Sequence, residues 1–305
     1  MYLYDVSRAG RWLIVRVDDY RSVRVLVPGQ TEERELPWLG AVGGSSPELS
    51  PDRTLLLFGD ESESAGPNYA ATIRKVDGLP PVRLGEGATA GFSPDGSKVL
   101  AFIPSLSQVF AYPVGAGDTI RIDAAPLTRV EPRGWLPDGR VILCGNETSQ
   151  PFRCYAKRLS GGALEPLTPE GLDVGPISPD GRTIVVIAPD GTKQLFSFAS
   201  RTLRPLPGTT PLDTVVGWSS NSSALFVQKL PAIPARFEAV SVATGARTLI
   251  KEVSPPDRAG LVLIRAGHVY DDGHAYAYSY FKTIQHLFTV TGVTDSLGKS
   301  SNLSR

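Results

Sequence analysis

The sequence predicts an all-β fold assembled from repeated four-stranded sheets, and three observations carry that prediction. The first is a recurring pattern of a large apolar residue, a tight turn and a strand-like apolar run. Phe92-Ser93-Pro94-Asp95-Gly96 leads into Val99-Leu100-Ala101-Phe102, Trp135-Leu136-Pro137-Asp138-Gly139 into Val141-Ile142-Leu143, and Ile177-Ser178-Pro179-Asp180-Gly181 into Ile184-Val185-Val186-Ile187. Leu49-Ser50-Pro51-Asp52 lacks the glycine but precedes Leu55-Leu56-Leu57-Phe58. The residue after the large apolar one sits at 50, 93, 136, 178 and 219, in steps of 43, 43, 42 and 41, a fixed period that marks a repeat architecture. The second observation is another turn column in phase with the first: Pro28-Gly29-Gln30, Val76-Asp77-Gly78, Gly115-Ala116-Gly117, Ser160-Gly161-Gly162 and Ala243-Thr244-Gly245. The third is composition. With 31 Gly and 26 Pro spaced between short apolar runs and no long amphipathic helix, the chain is punctuated as an all-β protein. Short tight connections and a strict period fit a β-propeller better than a sandwich.

Each element follows from local chemistry. In the Pro-Asp-Gly turn, Pro presets φ at the first central position, Asp hydrogen-bonds the backbone two residues on, and Gly accepts the positive φ that ends the turn. Asp52, Asp95, Asp138 and Asp180 are therefore read as structural turn residues. The unit around Phe92 divides into strands at residues 88–92, 99–102, 109–112 and 119–122. Fourth strands such as Glu33-Arg34-Glu35-Leu36 and Leu203-Arg204-Pro205-Leu206 carry charge or proline, as an exposed outer edge should.

The pattern extends with weaker sequence to Val6-Ser7-Arg8-Ala9-Gly10, followed by Trp12 to Val15, and to Val269-Tyr270-Asp271-Asp272-Gly273, followed by Ala275-Tyr276-Ala277-Tyr278. Seven motif positions favour seven blades, with six the other count, and repeats starting near 1, 44, 88, 130, 173, 213 and 260. The residues before the turns, Val6, Leu49, Phe92, Trp135, Ile177, Trp218 and Val269, are expected to pack between neighbouring sheets. One propeller domain over 1–292, an incomplete last blade and a disordered tail at 293–305 complete the expectation.

At 305 residues, 41% hydrophobic and 20% charged, the chain can bury a large core. Lys+Arg and Asp+Glu are both 31, so the charge balance gives no electrostatic footprint for nucleic acid. No run approaches a membrane span, and the N-terminus lacks a signal-peptide pattern, so the residues themselves leave localisation unknown and give no direct membrane insertion.

Candidate chemistry is sparse. Gly85-Glu86-Gly87-Ala88-Thr89-Ala90-Gly91 precedes a strand instead of opening a helix and has no P-loop lysine. Gly43-Gly44-Ser45-Ser46 and Gly217-Trp218-Ser219-Ser220 both fail the nucleophile-elbow pattern. His268, His274 and His286 match no metal motif, and the acidic pairs Asp18-Asp19, Asp60-Glu61 and Asp271-Asp272 show no calcium-loop spacing. No catalytic residue, metal or cofactor is assigned. Cys144 and Cys154 flank a hairpin loop, so a cross-strand disulfide is feasible in an oxidising compartment, against the favoured alternative of two semi-buried thiols. Binding is expected on the loops joining second to third strands, with Asp18, Asp19, Tyr20, Glu61, Asn68 and Tyr69 as the candidate residues and residues 59–69 as the longest loop. Protein, peptide or a small ligand would be the partner.

The Pro-Asp repeats resemble those of TolB-like (WD40-like) propellers over roughly residues 1–292. Ala65-Gly66-Pro67-Asn68-Tyr69-Ala70, the run from Pro234-Ala235-Arg236 to Ala243-Thr244-Gly245, and the run from Tyr278-Ser279-Tyr280 to Thr291-Gly292 resemble the C-terminal propeller of bacterial eukaryotic-like serine/threonine kinases. No kinase motif is present in the chain. The resemblance implies a non-catalytic sensor or interaction module, detached or truncated, placed outside the cytoplasm if part of a longer membrane protein. A TolB-like scaffold in a cell-envelope complex is the alternative. A propeller enzyme, whether lactonase, dehydrogenase or peptidase-associated, is a third reading, disfavoured because the histidines are confined to one unit.

Overall fold

A computed structural model describes residues 1–8, 11–36 and 46–290. The N-terminal strands are β1 (Tyr2–Val6), β2 (Trp12–Leu26) and β3 (Arg34–Leu36). Five antiparallel sheets follow, each made of four consecutive strands. The second blade holds β4 (Glu48–Leu49), β5 (Leu55–Asp60), β6 (Ala70–Lys75) and β7 (Val82–Glu86). The third holds β8 (Ala88–Phe92), β9 (Lys98–Ile103), β10 (Gln108–Pro113) and β11 (Ile120–Ile122). The fourth holds β12 (Arg129–Trp135), β13 (Val141–Asn146), β14 (Arg153–Lys157) and β15 (Glu165–Pro166). The fifth holds β16 (Asp173–Ile177), β17 (Thr183–Ile187), β18 (Lys193–Ser197) and β19 (Leu203–Pro205). The sixth holds β20 (Asp213–Trp218), β21 (Ala224–Lys229), β22 (Ala235–Ser241) and β23 (Arg247–Val253). The chain ends with β24 (Leu261–Tyr270) and β25 (Ala275–Val290).

The ring has six blades, which corrects the favoured count of seven. β24 and β25 pair with each other, β25 pairs with β2 over fifteen residues, and β2 pairs with β3, so one blade draws two strands from each end of the chain. The first and last motif positions are therefore not equivalent. Val269 is 2% exposed on the innermost strand of this closing blade, whereas Val6 is 47% exposed on β1 and packs between no sheets. The physical reason is strand pairing. Trp12 to Val15 belongs to the long third strand β2, so no separate first blade remains, and the blade expected to be incomplete is completed by β2 and β3. The repeat boundary near 44 and the tail at 293–305 lie outside the described residues.

The turn chemistry explains why the repeated strands start where they do. In the third blade the Ser93 hydroxyl donates to Asp95 and accepts from the Lys98 N–H at 2.9 Å, while Asp95 accepts the Ser97 N–H at 3.0 Å. Gly96 closes the turn at φ +70°, donating to the Ser93 carbonyl at 2.8 Å. Asp52 and Asp180 take the same partners, and Asn221 does so in the sixth blade. In the fourth blade Leu136 replaces the serine, and Asp138 is held by Arg140.

Between blades the core is aliphatic and aromatic. Leu49, Leu56 and Phe58 of the second blade meet Val23, Val25, Ala275 and Ala277 of the closing one. On its other face, the closing blade packs Leu26, Tyr276 and Tyr278 against Val216, Phe226 and Phe237 of the sixth. At about 25 cal/mol per Å² of apolar surface, this inter-blade burial is the main favourable term for the ring. Among the described residues no helix is long and apolar enough to cross a membrane.

Candidate functional site: the axial channel

The innermost strand of every blade lines a central cavity of about 1150 Å³. Small residues keep it open. Ala88, Ala90 and Gly91 of β8, Gly134 of β12 and Gly175 of β16 stand where bulky side chains would fill the axis. Bulges interrupt these strands, at Thr89/Phe92, Pro132/Gly134, Val174/Ile177 and Val215/Gly217. Each bulge re-aims the side chain that follows. Gly91, at φ +107°, also permits close approach, because a Cβ there would lie 3.0 Å from Oε2 of Glu48. The Trp135 indole N–H donates to the Gly91 carbonyl at 3.1 Å, and Trp218 repeats the contact on Pro176 at 3.1 Å, tying each of these blades to its predecessor.

The end of the channel nearest the Pro-Asp turns carries Glu48, His268, Tyr270 and Arg53. Glu48 accepts the Phe92 N–H at 3.2 Å and stands 3.9 Å from Nε2 of His268. Burial pushes its carboxyl above the usual range, outweighing the nearby His268, the Phe92 N–H and Arg53. Burial likewise drives the Tyr270 hydroxyl well up. Arg53 stacks over the Tyr270 ring at 4.0 Å and pairs with Asp271 at 3.1 Å.

The opposite end is bridged by charge. Arg133 donates to Asp173 at 2.7 and 2.8 Å and to Glu131 at 2.7 Å, joining the fourth and fifth blades. Arg247 donates to both oxygens of Asp213 at 3.0 Å and also pairs with Glu238. Burial acts against ionised Asp213, but Arg247, the Thr210 N–H and the Thr210 hydroxyl hold its carboxyl below the usual range. Burial lowers Lys193, whose ammonium donates to the carbonyls of Thr210 at 2.9 Å and Gly191 at 3.1 Å.

The residues proposed from sequence lie at the rim, away from this channel. Asp18, Asp19 and Tyr20 are not in a loop; they sit inside β2, where pairing with β25 runs straight through them. Asp18 pairs with Arg16 at 2.7 Å, Asp19 accepts from Thr283 at 3.0 Å, and Tyr20 donates to Glu35 at 2.8 Å. Glu61 pairs with Arg21 at 2.8 Å, which brings the second-blade loop against the closing blade. Asn68 donates to Glu86 at 3.2 Å and accepts from Ser105 of the third blade at 3.2 Å. Tyr69 adopts φ +65° and is 39% exposed. The three histidines do not converge: His268 lines the channel, His286 lies 3.3 Å from Asp18, and His274 follows the turn at Asp271.

Cys144 and Cys154 are direct cross-strand partners with Cα atoms 3.9 Å apart, and their sulfurs form a disulfide. Among the described residues they make the one grouping of metal-type side chains, with Asp173, but the sulfurs are bonded to each other and Asp173 is engaged by Arg133. Sequence reasoning missed Glu48, Arg133, Asp173, Lys193, Asp213 and Arg247. For Glu48, Arg133, Asp173 and Asp213 the available signal was a charged residue in a short first strand just upstream of the turn motif; Lys193 and Arg247, on third and fourth strands, carried no such signal.

No protein-family model matches the sequence, and no curated protein matches it. Solved structures do. The chain overlays a protein assigned as TolB from Agrobacterium tumefaciens with a TM-score of 0.62 and 16% identity, covering 87% of this chain and 99% of that one. TolB from Acinetobacter baumannii overlays with a TM-score of 0.52 and 14% identity, over 85% of this chain and 63% of that one. Oligogalacturonate lyase from Vibrio parahaemolyticus overlays only at 0.49 and 11% identity, over 86% of this chain and 77% of that one, too loosely to bear on function. These likenesses show the fold alone: a β-propeller like those of the two TolB structures.

Proposed function

We propose that the chain is a non-catalytic, TolB-like interaction propeller that receives a protein or peptide segment at its axial channel. One observation carries this reading: the arginine and lysine side chains that line the channel, and the carboxylate of Asp213, are spent on internal bridges. Arg133 and Arg53 each clamp a carboxylate, Asp213 is clamped by Arg247 from outside the lining, and Lys193 is capped by backbone carbonyls. What remains toward the axis is the Glu48–His268 pair with Tyr270 at one end and a small-residue wall with Trp135 and Phe92, a surface suited to an extended segment. The narrower reading, a sensor module of a bacterial receptor-type serine/threonine kinase, is carried by segments 65–70, 234–245 and 278–292 of the sequence and by nothing in the fold.

Selection of twelve-residue peptides displayed on phage against the whole chain tests the proposal. Enriched peptides are expected to lose binding to Thr214→Trp, which places a large ring in the channel from an exposed position, and to keep binding to Leu106→Ala on the surface. Peptides that ignore Thr214→Trp but need Tyr69 would move the site to the rim loops. A tight stoichiometric divalent-metal site seen by calorimetry would overturn the non-catalytic reading.

A further inference from the structure

Among the described residues, nine of the eighteen exposed large apolar side chains belong to one feature: Met1, Tyr2, Leu3, Tyr4, Val6, Tyr20, Ile284, Leu287 and Phe288. The feature is a ribbon. β2 and β25 stay paired from Tyr20 and Lys282 out to Trp12 and Val290, well past the end of β24, and β1 adds to the far side of β2. β24 makes its last pairing at Leu261 with Lys282, and Gly260 accepts the Thr283 N–H. From Ile284 to Val290 no described strand pairs with the open side of β25.

That edge is built differently from the outer edges of the blades. All six outermost strands carry a charged residue or proline: Arg34, Arg83, Arg121, Pro166, Arg204 and Arg247 are examples. Such residues discourage pairing with another chain. Ile284 to Val290 has no Lys, Arg, Asp, Glu, Pro or Gly, and its register with β2 is regular, without a bulge. The charges beside it are consumed within the ribbon, since Asp18 pairs with Arg16 at 2.7 Å and with His286 at 3.3 Å. A strongly charged partner strand would find no counter-charge here.

The edge is also complementary to itself. In antiparallel pairing about a two-fold axis at Leu287, Leu287 faces Leu287 of the second copy, Ile284 faces Val290, His286 faces Phe288, and Gln285 faces Thr289. Leu287 and the Ile284–Val290 pair set apolar residues against apolar ones, Phe288 meets the flat imidazole of His286, and the amide of Gln285 meets the hydroxyl of Thr289, pairings of the kind that stabilise a sheet. Moving the axis by one residue sets His286 against His286, or Leu287 against Thr289. The three-stranded ribbon would become the centre of a six-stranded sheet of ordinary size.

We propose that the ribbon is a homodimerisation arm in which the open edge of β25, Ile284 to Val290, pairs antiparallel with the same edge of a second copy, centred on Leu287. This is independent of the channel's role. Sedimentation equilibrium of the whole chain at micromolar concentration is expected to give twice the chain mass. Leu287→Lys, which sets two like charges face to face at an exposed position, should return the mass to that of one chain with the thermal midpoint unchanged. Register is read by cross-linking. Leu287→Cys should form an intermolecular disulfide under mild oxidation, because directly opposed Cα atoms lie about 4.5–5.5 Å apart. Gln285→Cys should not, because its copies would be about 13 Å apart along the strands. A single-chain mass at all concentrations, or equal cross-linking at the two positions, overturns the proposal. So does a single-chain mass combined with flotation on phosphatidylcholine or phosphatidylglycerol vesicles, which would make the ribbon's occupant a lipid surface.

Discussion

Tyr278 donates its hydroxyl to Oε2 of Glu33 at 2.8 Å, joining residues 245 positions apart. Tyr276 donates to the other oxygen of the same carboxylate at 2.8 Å, and Arg24 donates to it from the strand between at 2.9 Å. Tyr280 and Tyr20 donate to Glu35 at 2.6 and 2.8 Å. The two ends of the chain are therefore latched across the closing blade by tyrosine hydroxyls and two half-buried carboxylates. Burial and the Glu33 hydrogen bond raise Tyr276 and Tyr278, so both remain protonated donors throughout the neutral range.

Removing the acceptor should cost more than removing one donor. Glu33→Ala leaves Arg24, 11% exposed in its side chain, and two buried hydroxyls short of a partner, an expected loss of about 2–4 kcal/mol. Tyr278→Phe deletes one hydroxyl and should cost about 1 kcal/mol. Urea unfolding of the two variants checks the order.

Arg247 is expected to matter through Asp213, whose side chain is fully buried. Arg247→Ala should destabilise by about 3–5 kcal/mol at neutral pH, because it strands a buried carboxylate. The folded-state pKa of Asp213 is depressed, so the stabilisation from its ionised form is present above the unfolded value near 3.9 and lost as pH falls through the folded one. The deficit of the variant should shrink on acidification below about pH 4, measured as the difference in thermal midpoint from wild type.

Glu48 has the opposite sign. Its folded-state pKa is raised by burial, so the favourable contribution belongs to the protonated form, complete below the unfolded value near 4.3 and lost as pH rises through the folded value. Glu48→Gln should raise the thermal midpoint at pH above neutrality, with the gain vanishing toward pH 4.

Asp95, held at about 2 by the Ser93 hydroxyl and the Ser97 N–H and hydroxyl, is a repeated turn device. Asp95→Ala should cost about 1 kcal/mol at pH 7. Asp95→Asn should cost less, since Asn221 makes the equivalent bonds in the sixth blade. The penalty relative to wild type should disappear between pH 4 and about 2, followed by circular dichroism melts.

The Cys144–Cys154 disulfide closes a loop with a sequence separation of 10. Reduction should cost about 2–3 kcal/mol, read as a lower thermal midpoint in dithiothreitol that a Cys144→Ala/Cys154→Ala variant no longer shows.

The period near 42 made the blades from the second to the sixth legible, because the Ser93–Asp95 kind of turn is local and leaves its whole signature in a few residues. The closing blade was not legible in the same way. Its strands come from both ends, and Val6-Ser7-Arg8 imitates the motif in a segment whose neighbours along the chain are not its partners in space. Val269 was correctly placed before a turn, but its equivalence to Val6 failed. The channel was less legible still. Glu48 meets His268 only when the ring closes, Arg133 meets Asp173 across a blade boundary 40 residues on, and Asp213 meets Arg247 34 residues on, so their roles depend on tertiary pairings that no local pattern shows. Asp18 to Tyr20 read as a polar loop because three polar residues interrupt an apolar strand, yet their outward side chains are what an exposed stretch of β2 tolerates.

Six-blade closure with strands from both ends is the central claim, and a register-specific cross-link tests it most directly. Val23 and Ser279 are directly opposed on β2 and β25. The Val23→Cys/Ser279→Cys variant should form an intramolecular disulfide on mild oxidation, identified by peptide mapping, and should unfold at a higher temperature than its reduced form. Free thiols at both positions in the folded, monomeric fraction would contradict the closing blade and with it the six-membered ring.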